Sequence, residues 1–148
     1  MRLQIVEQTV GQIDQYQPAT QAEIRFKPGQ SVLSKKAKQA LDQLAGDIPN
    51  TKGYVIQLIG GTDSVGSKQY NYKLSEMRAS AVVQYLATQY NVPAYKVYLA
   101  GLGKDKEVAP NNNSKGRAQN RRVDVQLMTN VQESTAAQNV TPAAPNSR

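Results

Sequence analysis

Residues 56–86 constrain the fold most, because three kinds of local structure follow one another there without a break. The run begins with an apolar, β-branched stretch that is typical of a buried strand. A glycine-bounded loop containing Asp63 follows, and an amphipathic pattern containing Arg78 completes the unit. The sequence therefore predicts a strand, a loop and a helix. A carboxylate and a guanidinium held together on such a frame suit a zwitterionic ligand.

Hydrophobic periodicity predicts four strands and two helices along the chain. Alternating or continuous apolar residues predict strands at residues 22–26, 54–59, 96–102 and 122–128. Two helices are predicted to follow the N-caps Ser34 and Ser67 and to end near residues 48 and 90. The buried stripe of the second helix is predicted to consist of Leu74, Met77, Ala81, Val82, Tyr85 and Leu86.

The order βαβαββ predicts an α/β (α+β) two-layer sandwich, with helices packed on one face of a mixed four-stranded sheet. The last strand is expected to pair antiparallel beside the third, and residues 103–115 are expected to form a polar loop. Residues 21–129 are the predicted domain. Residues 1–20 are expected to be a stalk or linker, and residues 130–148 a disordered polar tail.

The N-terminal segment has two interpretations. Its heptad-like stripe suits a homodimer formed through residues 1–16, and consists of Leu3, Val6, Val10 and Ile13. A frayed terminal helix or an edge strand packed on the domain explains the same residues equally well. The segment lacks the apolar core of a signal peptide, so the chain is either cytosolic or part of a longer protein. Any membrane anchor of the parent protein is expected outside this chain.

Composition argues against an enzyme, because the chain contains neither histidine nor cysteine. The commonest general acid/base, the thiol nucleophile and the commonest metal ligands are therefore missing. The glycine-rich stretch after residue 59 matches neither the dinucleotide-binding nor the P-loop pattern. A non-catalytic protein without cofactor or metal is expected.

The formal net charge of +7 points to an anionic partner or simply to solubility. A basic run at residues 116–123 could contact nucleic-acid phosphates, and this remains an alternative function beside structural dimerisation. No aromatic residues interleave with the run to stack on bases, so a nucleic-acid partner is not the preferred expectation. The simpler interpretation is that Asn120 and an arginine tie this loop to the sheet.

Four ordered motifs make the chain resemble a known family. They are G-T-D-x-x-G at residues 61–66, N-x-x-L-S-x-x-R-A at 71–79, G-x-G at 101–103 and G-R-A-x-N-R-R-V at 116–123. Together they resemble the OmpA-like peptidoglycan-binding domain over about residues 22–128. This family includes the C-terminal domain of outer membrane protein A, the peptidoglycan-associated lipoprotein and the flagellar stator B subunit.

The resemblance implies that the chain lies in the periplasm or at the outer membrane. It also implies that the chain binds peptidoglycan non-covalently and catalyses no reaction. It implies that Asp63 and Arg78 hold the amino and carboxylate groups of diaminopimelate in the stem peptide. Thr62 and Asn71 match flanking positions that support the ligand, and Arg121 matches a loop-anchoring position with possible ligand contact. Two departures change the local charge: Gly61 stands where the family usually has histidine, and Lys27 where it often has aspartate.

Overall fold

The computed structural model describes residues 16–101 and 109–131, so the predicted N-terminal dimer stripe and residues 132–148 of the predicted tail lie outside the described residues. The strands are β1 (Tyr16–Arg25), β2 (Val55–Gly61), β3 (Val97–Gly101) and β4 (Arg122–Asn130). The α-helices are α1 (Lys35–Gly46), α2 (Lys68–Tyr90) and α3 (Ser114–Asn120). Short 3-10 turns at Ile48–Asn50 and Ala94–Lys96 precede β2 and β3.

The sheet has the strand order β1-β4-β2-β3, with β4 antiparallel to both neighbours and β2 parallel to β3. The mixed four-stranded sheet is therefore confirmed, but the predicted pairing of the last strand beside the third is wrong. Strand β4 instead inserts between β1 and β2. Its inward residues Val123, Val125 and Leu127 are fully buried, which requires a strand on each side and helices above.

One core lies between the sheet and the two long helices. Ile24, Leu58 and Val125 on the sheet belong to the same apolar cluster as Leu41 of α1 and Val82 of α2. The helices therefore cover one face of the sheet, which confirms the two-layer sandwich. Among the described residues, no helix combines the length and the hydropathy that crossing a membrane requires.

Strand β1 is longer than the sequence indicates. It begins at Tyr16, so residues 16–20, predicted as part of the stalk, pair with β4. Pro18 is compatible with this position because β1 is an edge strand and its register shifts between Pro18 and Thr20. Tyr16 pairs with Asn130 at one end of the strand, and Arg25 pairs with Arg122 at the other.

The predicted N-caps are confirmed: Ser34 accepts a hydrogen bond from the Ala37 amide, and Ser67 accepts one from the Tyr70 amide. The predicted buried stripe of α2 is partly wrong, since Met77 is 53% exposed. The buried face instead includes polar side chains next to Leu74 and Val82, namely Asn71, Ser75 and Arg78. Hydropathy alone assigns these three to solvent, whereas the structure turns them towards the end of the sheet.

A carboxylate joins the two long helices at their surface. The Tyr85 and Tyr90 hydroxyls of α2 each donate a 2.6 Å hydrogen bond to Asp42 Oδ1 of α1. The two rings also contact each other edge to face, with centroids 6.4 Å apart. These hydrogen bonds lower the pKa of Asp42, and they raise the pKa of Tyr85 to about 12 and that of Tyr90 above its usual value.

The hydrogen bonds from Tyr85 and Tyr90 to Asp42 should stabilise the fold only within a limited range of pH. A raised phenol pKa stabilises the fold below the unfolded value, and this contribution disappears as pH rises through the folded value. The lowered pKa of Asp42 acts oppositely: its contribution is present above the unfolded value and is lost as pH falls through the folded value. A spectrophotometric titration should show late-ionising phenols, and Asp42→Ala should return two of them, Tyr85 and Tyr90, towards an ordinary pKa. The pKa of Tyr54, which burial raises, should not change. Asp47→Ala should leave the titration unchanged. An unchanged number of late phenols in Asp42→Ala would contradict this assignment.

Candidate functional site

The predicted site residues meet at one end of the sheet. Strands β1 and β2 end there and β4 begins there, as the pairing of Arg122 with Arg25 and Gly61 shows. The loops after β1 and β2, the N-terminal half of α2 and residues 114–121 enclose a cavity of about 290 Å³. It is lined by Pro28, Gly29, Thr62, Asp63, Val65, Tyr70, Asn71, Leu74, Arg78, Ser114, Arg117 and Arg121. All five predicted binding residues are among them.

Arg78 is the most buried charge of the site. Its side chain is fully buried on α2, with Nε 2.7 Å from the Gln30 carbonyl and Nη2 3.1 Å from the Lys27 carbonyl, and it donates to both. Its guanidinium lies 5.1 Å from the centre of the Phe26 ring. The third nitrogen, Nη1, is buried and has no hydrogen-bond partner among the described residues.

The electrostatics of Arg78 reflect this burial. Desolvation and then the charge of Arg121 lower the pKa of Arg78 to about 10, while Asp63 and Tyr70 act in the opposite direction. The group therefore remains charged at neutral pH. A buried cation with an unpaired NH₂ group favours any anion that reaches it, because the loss of its own hydration has already occurred.

Thr62 supplies the second unpaired polar group. Its Oγ1 is buried and has no hydrogen-bond partner within residues 16–101 and 109–131, although buried hydroxyls are nearly always paired in folded proteins. Thr62 and Arg78 line the same cavity. Two unpaired polar groups beside one cavity indicate a place for a ligand that accepts hydrogen bonds.

Asp63 is held by the loop that carries it. Its Oδ1 accepts a 3.0 Å hydrogen bond from the Val65 amide, and its Oδ2 forms a 3.1 Å ion pair with Arg121 Nη1. Arg121 Nε also donates to the Phe26 carbonyl at 3.1 Å, so this arginine joins the loop after β2 to the end of β1. The loop-anchoring role predicted for Arg121 is confirmed. Its direct partner is Asp63, which the sequence pattern does not indicate.

Asn71 helps to fix the conformation of the loop after β2. Its Nδ2 donates a 2.9 Å hydrogen bond to the Val65 carbonyl, and the residue is almost completely buried on α2. Asn71 and Asp63 therefore hold Val65 from both sides, one through its carbonyl and the other through its amide. This fixes the loop that carries Thr62 and Asp63.

Several cavity residues were not predicted as binding residues. Val65, Tyr70 and Leu74 form an apolar side, and Ser114 and Arg117 come from the unpredicted helix α3. Leu74 and Arg117 stand in the family motifs, where Arg117, like Arg121, matches a loop-anchoring position with possible ligand contact. No local pattern identifies Val65 or Ser114, and Tyr70 is marked only by its place immediately before Asn71. Three arginines and one aspartate line the cavity, so the site has an excess of positive charge.

Helix α3 replaces part of the loop predicted at residues 103–115. Asn113 caps it by accepting from the Gly116 amide, and Arg117 Nη1 donates to the Asn111 carbonyl at 3.0 Å. The buried Asn120 donates to the Ala109 carbonyl at 2.7 Å and accepts from the Ala109 amide at 3.0 Å. The interpretation of Asn120 as a loop-tying residue is confirmed. The helix has no apolar periodicity, so hydropathy does not reveal it.

A second cavity, of about 310 Å³, lies on the sheet face away from the helices, but its charges are already paired. Arg25 forms a 2.7 Å ion pair with Glu23, and Arg122 forms a 3.1 Å ion pair with Asp124. Of the two cavities, only the one at the sheet end contains buried polar groups without partners. Within the described part of the chain, no three potential acidic metal ligands come together.

Comparison with known proteins identifies the family. The OmpA family model matches residues 25–121. Outer membrane protein A of Bordetella avium is 36% identical over 107 residues, which cover 72% of this chain and 55% of that protein. The chain thus spans about half of the length of this relative. It belongs to the OmpA family.

Solved structures agree with this assignment. The peptidoglycan-associated lipoprotein from Burkholderia pseudomallei is 28% identical with a TM-score of 0.65, over 71% of this chain and 88% of that one. The cell wall anchor of the T6SS from Pseudomonas aeruginosa is 26% identical with a TM-score of 0.60, over 74% and 80% of the two chains.

The two hydrogen bonds between the Asn120 side chain and the backbone of Ala109 should stabilise the fold. Asn120→Asp keeps the size of the side chain but removes the two N–H donors, one of which contacts Asn111 Oδ1 at 2.9 Å. We expect the free energy of unfolding in urea to fall by about 2 kcal/mol, because a buried carbonyl then faces a carboxylate. Asn112→Asp is the matched control, since Asn112 is exposed and uses its Oδ1 as an acceptor. Equal stability of the two variants would contradict a stabilising role for the side-chain hydrogen bonds of Asn120.

Proposed function

We propose that this chain is a non-catalytic peptidoglycan-binding module that anchors an envelope protein to the cell wall. In this proposal the cavity at the sheet end binds the diaminopimelate of the stem peptide. The observation that carries it is the pair of unpartnered groups, Arg78 Nη1 and Thr62 Oγ1, in a cavity that also contains Asp63.

The carboxylate of the ligand would occupy the space next to Arg78 and Thr62. It would accept hydrogen bonds from Nη1 and Oγ1 and so satisfy the two buried donors that lack partners. The backbone carbonyls of Lys27 and Gln30 already orient the guanidinium. Little conformational freedom is therefore lost when the ligand binds.

The ammonium group of the ligand would lie against Asp63. Each carboxylate oxygen of Asp63 already accepts one hydrogen bond, but a carboxylate offers about four acceptor positions. Arg121 holds the carboxylate in place and the ammonium completes its coordination. A zwitterionic amino acid thus meets one group of each sign, whereas a lysine side chain presents only the ammonium.

Peptidoglycan is favoured by the similar proteins. The Burkholderia pseudomallei relative is a peptidoglycan-associated lipoprotein, and the Pseudomonas aeruginosa structure is a cell wall anchor. A periplasmic site of action and an anchor elsewhere in the parent protein follow from the same proposal. The affinity of one such small site is expected to be about micromolar to millimolar, and the repeating polymer adds avidity.

The basic run at residues 116–123 is largely used inside the domain, which weakens the nucleic-acid alternative. Arg117 donates to the Asn111 carbonyl, Arg121 pairs with Asp63, and Arg122 pairs with Asp124. These guanidinium groups are directed towards loop and strand partners and do not form a stripe for phosphates.

If Asp63 and Arg78 hold the ligand, a substitution of either residue should weaken binding to the cell wall. We expect Asp63→Asn and Arg78→Lys each to lower the affinity for meso-diaminopimelate in an NMR titration by about tenfold or more. Both should also reduce sedimentation with insoluble peptidoglycan sacculi. The controls are Glu76→Gln, which removes an exposed charge, and Arg25→Lys, which makes the same arginine-to-lysine change at an exposed position. If both site variants keep their amide dispersion and still sediment like the unmodified protein, the proposed site is wrong.

Thr62→Val separates binding from folding. The substitution removes a buried hydroxyl that has no partner, so the free energy of unfolding should rise by about 1 kcal/mol. The affinity for meso-diaminopimelate should fall by about tenfold, because the ligand carboxylate loses a donor. Thr88→Val, at an exposed position of α2, should change neither quantity. A variant that loses stability and keeps its affinity would show that the hydroxyl serves the fold.

A further inference from the structure

Tyr70 forms one side of the cavity but has no role in the charge pair. It lies in the first turn of α2, lines the cavity, and is 51% exposed. About half of this aromatic residue is thus exposed, and it lines the cavity where the ligand is proposed to bind. An aromatic ring in this position offers apolar contact area at low cost in side-chain entropy.

Two loop glycines fix the position of the Tyr70 ring. Gly66 adopts a φ of +91°, and a Cβ atom there would lie 3.0 Å from Tyr70 Cδ2. Gly29 adopts a φ of +67°, and a Cβ atom there would lie 3.4 Å from the Tyr70 hydroxyl. The ring therefore spans the gap between the loop after β1 and the loop after β2. Its close contact with bare backbone limits how far it can move.

The cavity is consequently divided into two sides. Tyr70, Val65 and Leu74 provide an apolar side. The polar side carries Thr62, Asp63, Arg78 and Arg121. Tyr70 is close enough to Arg78 to influence its pKa, so the apolar side begins next to the group proposed to hold the ligand carboxylate.

We infer that Tyr70 is a specificity-determining residue, whose ring covers the unbranched methylene chain behind the zwitterionic head of the ligand. This inference rests on the proposed function. The charged groups alone accept any amino acid, including short ones. The ring adds affinity only for a ligand whose head is carried on an alkyl chain, as in diaminopimelate. The site thereby selects both the charge pattern and the length of the ligand.

The size of the effect follows from the burial of methylene groups. Covering one to two methylene groups changes the affinity by about tenfold. Phenylalanine provides nearly the same apolar area, so the hydroxyl contributes little to this selection. The hydroxyl is directed towards Gly29, at the rim of the loop after β1.

The test compares two ligands on four proteins. NMR titrations with meso-diaminopimelate and with D-alanine are performed on the unmodified chain and on Tyr70→Ala, Tyr70→Phe and Tyr72→Ala. Tyr72 is the matched control, because it is on the same helix, is also 51% exposed and does not line the cavity. The Ser67 cap bonds to the backbone amide of residue 70, so Tyr70→Ala leaves this cap intact.

We expect Tyr70→Ala to weaken diaminopimelate binding by about tenfold and to leave D-alanine binding within about twofold. Tyr70→Phe and Tyr72→Ala should bind both ligands as the unmodified chain does. Unchanged diaminopimelate affinity in Tyr70→Ala, or an equal loss for both ligands, would overturn the inference alone. Failure of the unmodified chain to bind diaminopimelate would overturn the proposed function and this inference together.

Discussion

The buried guanidinium of Arg78 is the interaction on which the end of the sheet depends. Isolated cations are costly to bury, and two backbone carbonyls and the Phe26 ring offset this cost. Both carbonyls belong to residues 27–30, so the same contacts that stabilise the cation also determine the course of this loop. The loop shape and the charge of the site therefore cannot be changed independently. Among the described residues, one nitrogen of Arg78, Nη1, has no hydrogen-bond partner, and its side chain lines the cavity.

The loop after β2 is also held by hydrogen bonds to a charged side chain, in this case the carboxylate of Asp63. Asp63 takes an amide of its own loop and the guanidinium of Arg121, and Arg121 also reaches the end of β1. Segments far apart in sequence are thus joined by two charges of opposite sign at a single sheet end. Because β4 lies between β1 and β2, Arg121 is placed between the two loops that it connects.

Local structure could be predicted from the sequence, and long-range pairing could not. Ser34 and Ser67 act as caps within three residues, so their roles are visible in any window of the sequence. The insertion of β4 depends on contacts with β1 across about one hundred residues, and the strand pattern is the same whichever neighbours it has. Helix α3 is held by hydrogen bonds from backbone amides to the side chains of Asn113 and Asn120, and it has no periodic apolar face. Hydropathy also favoured Met77 over Arg78 for the buried face, because it cannot register that a cation has partners. The motif positions of the cavity came from family resemblance, while its apolar side required the coordinates.

The pairing of Tyr16 with Asn130 has a mechanical consequence. This pair lies at the far end of the sheet from the cavity, one full strand length away. A tensile load applied between the cavity and Tyr16 is directed along the axes of β1 and β4. The hydrogen bonds between these strands are then sheared together and are not peeled apart one after another. Many bonds must break at once for the strands to slide, so this geometry resists extension better than one in which both points of load lay at the same edge.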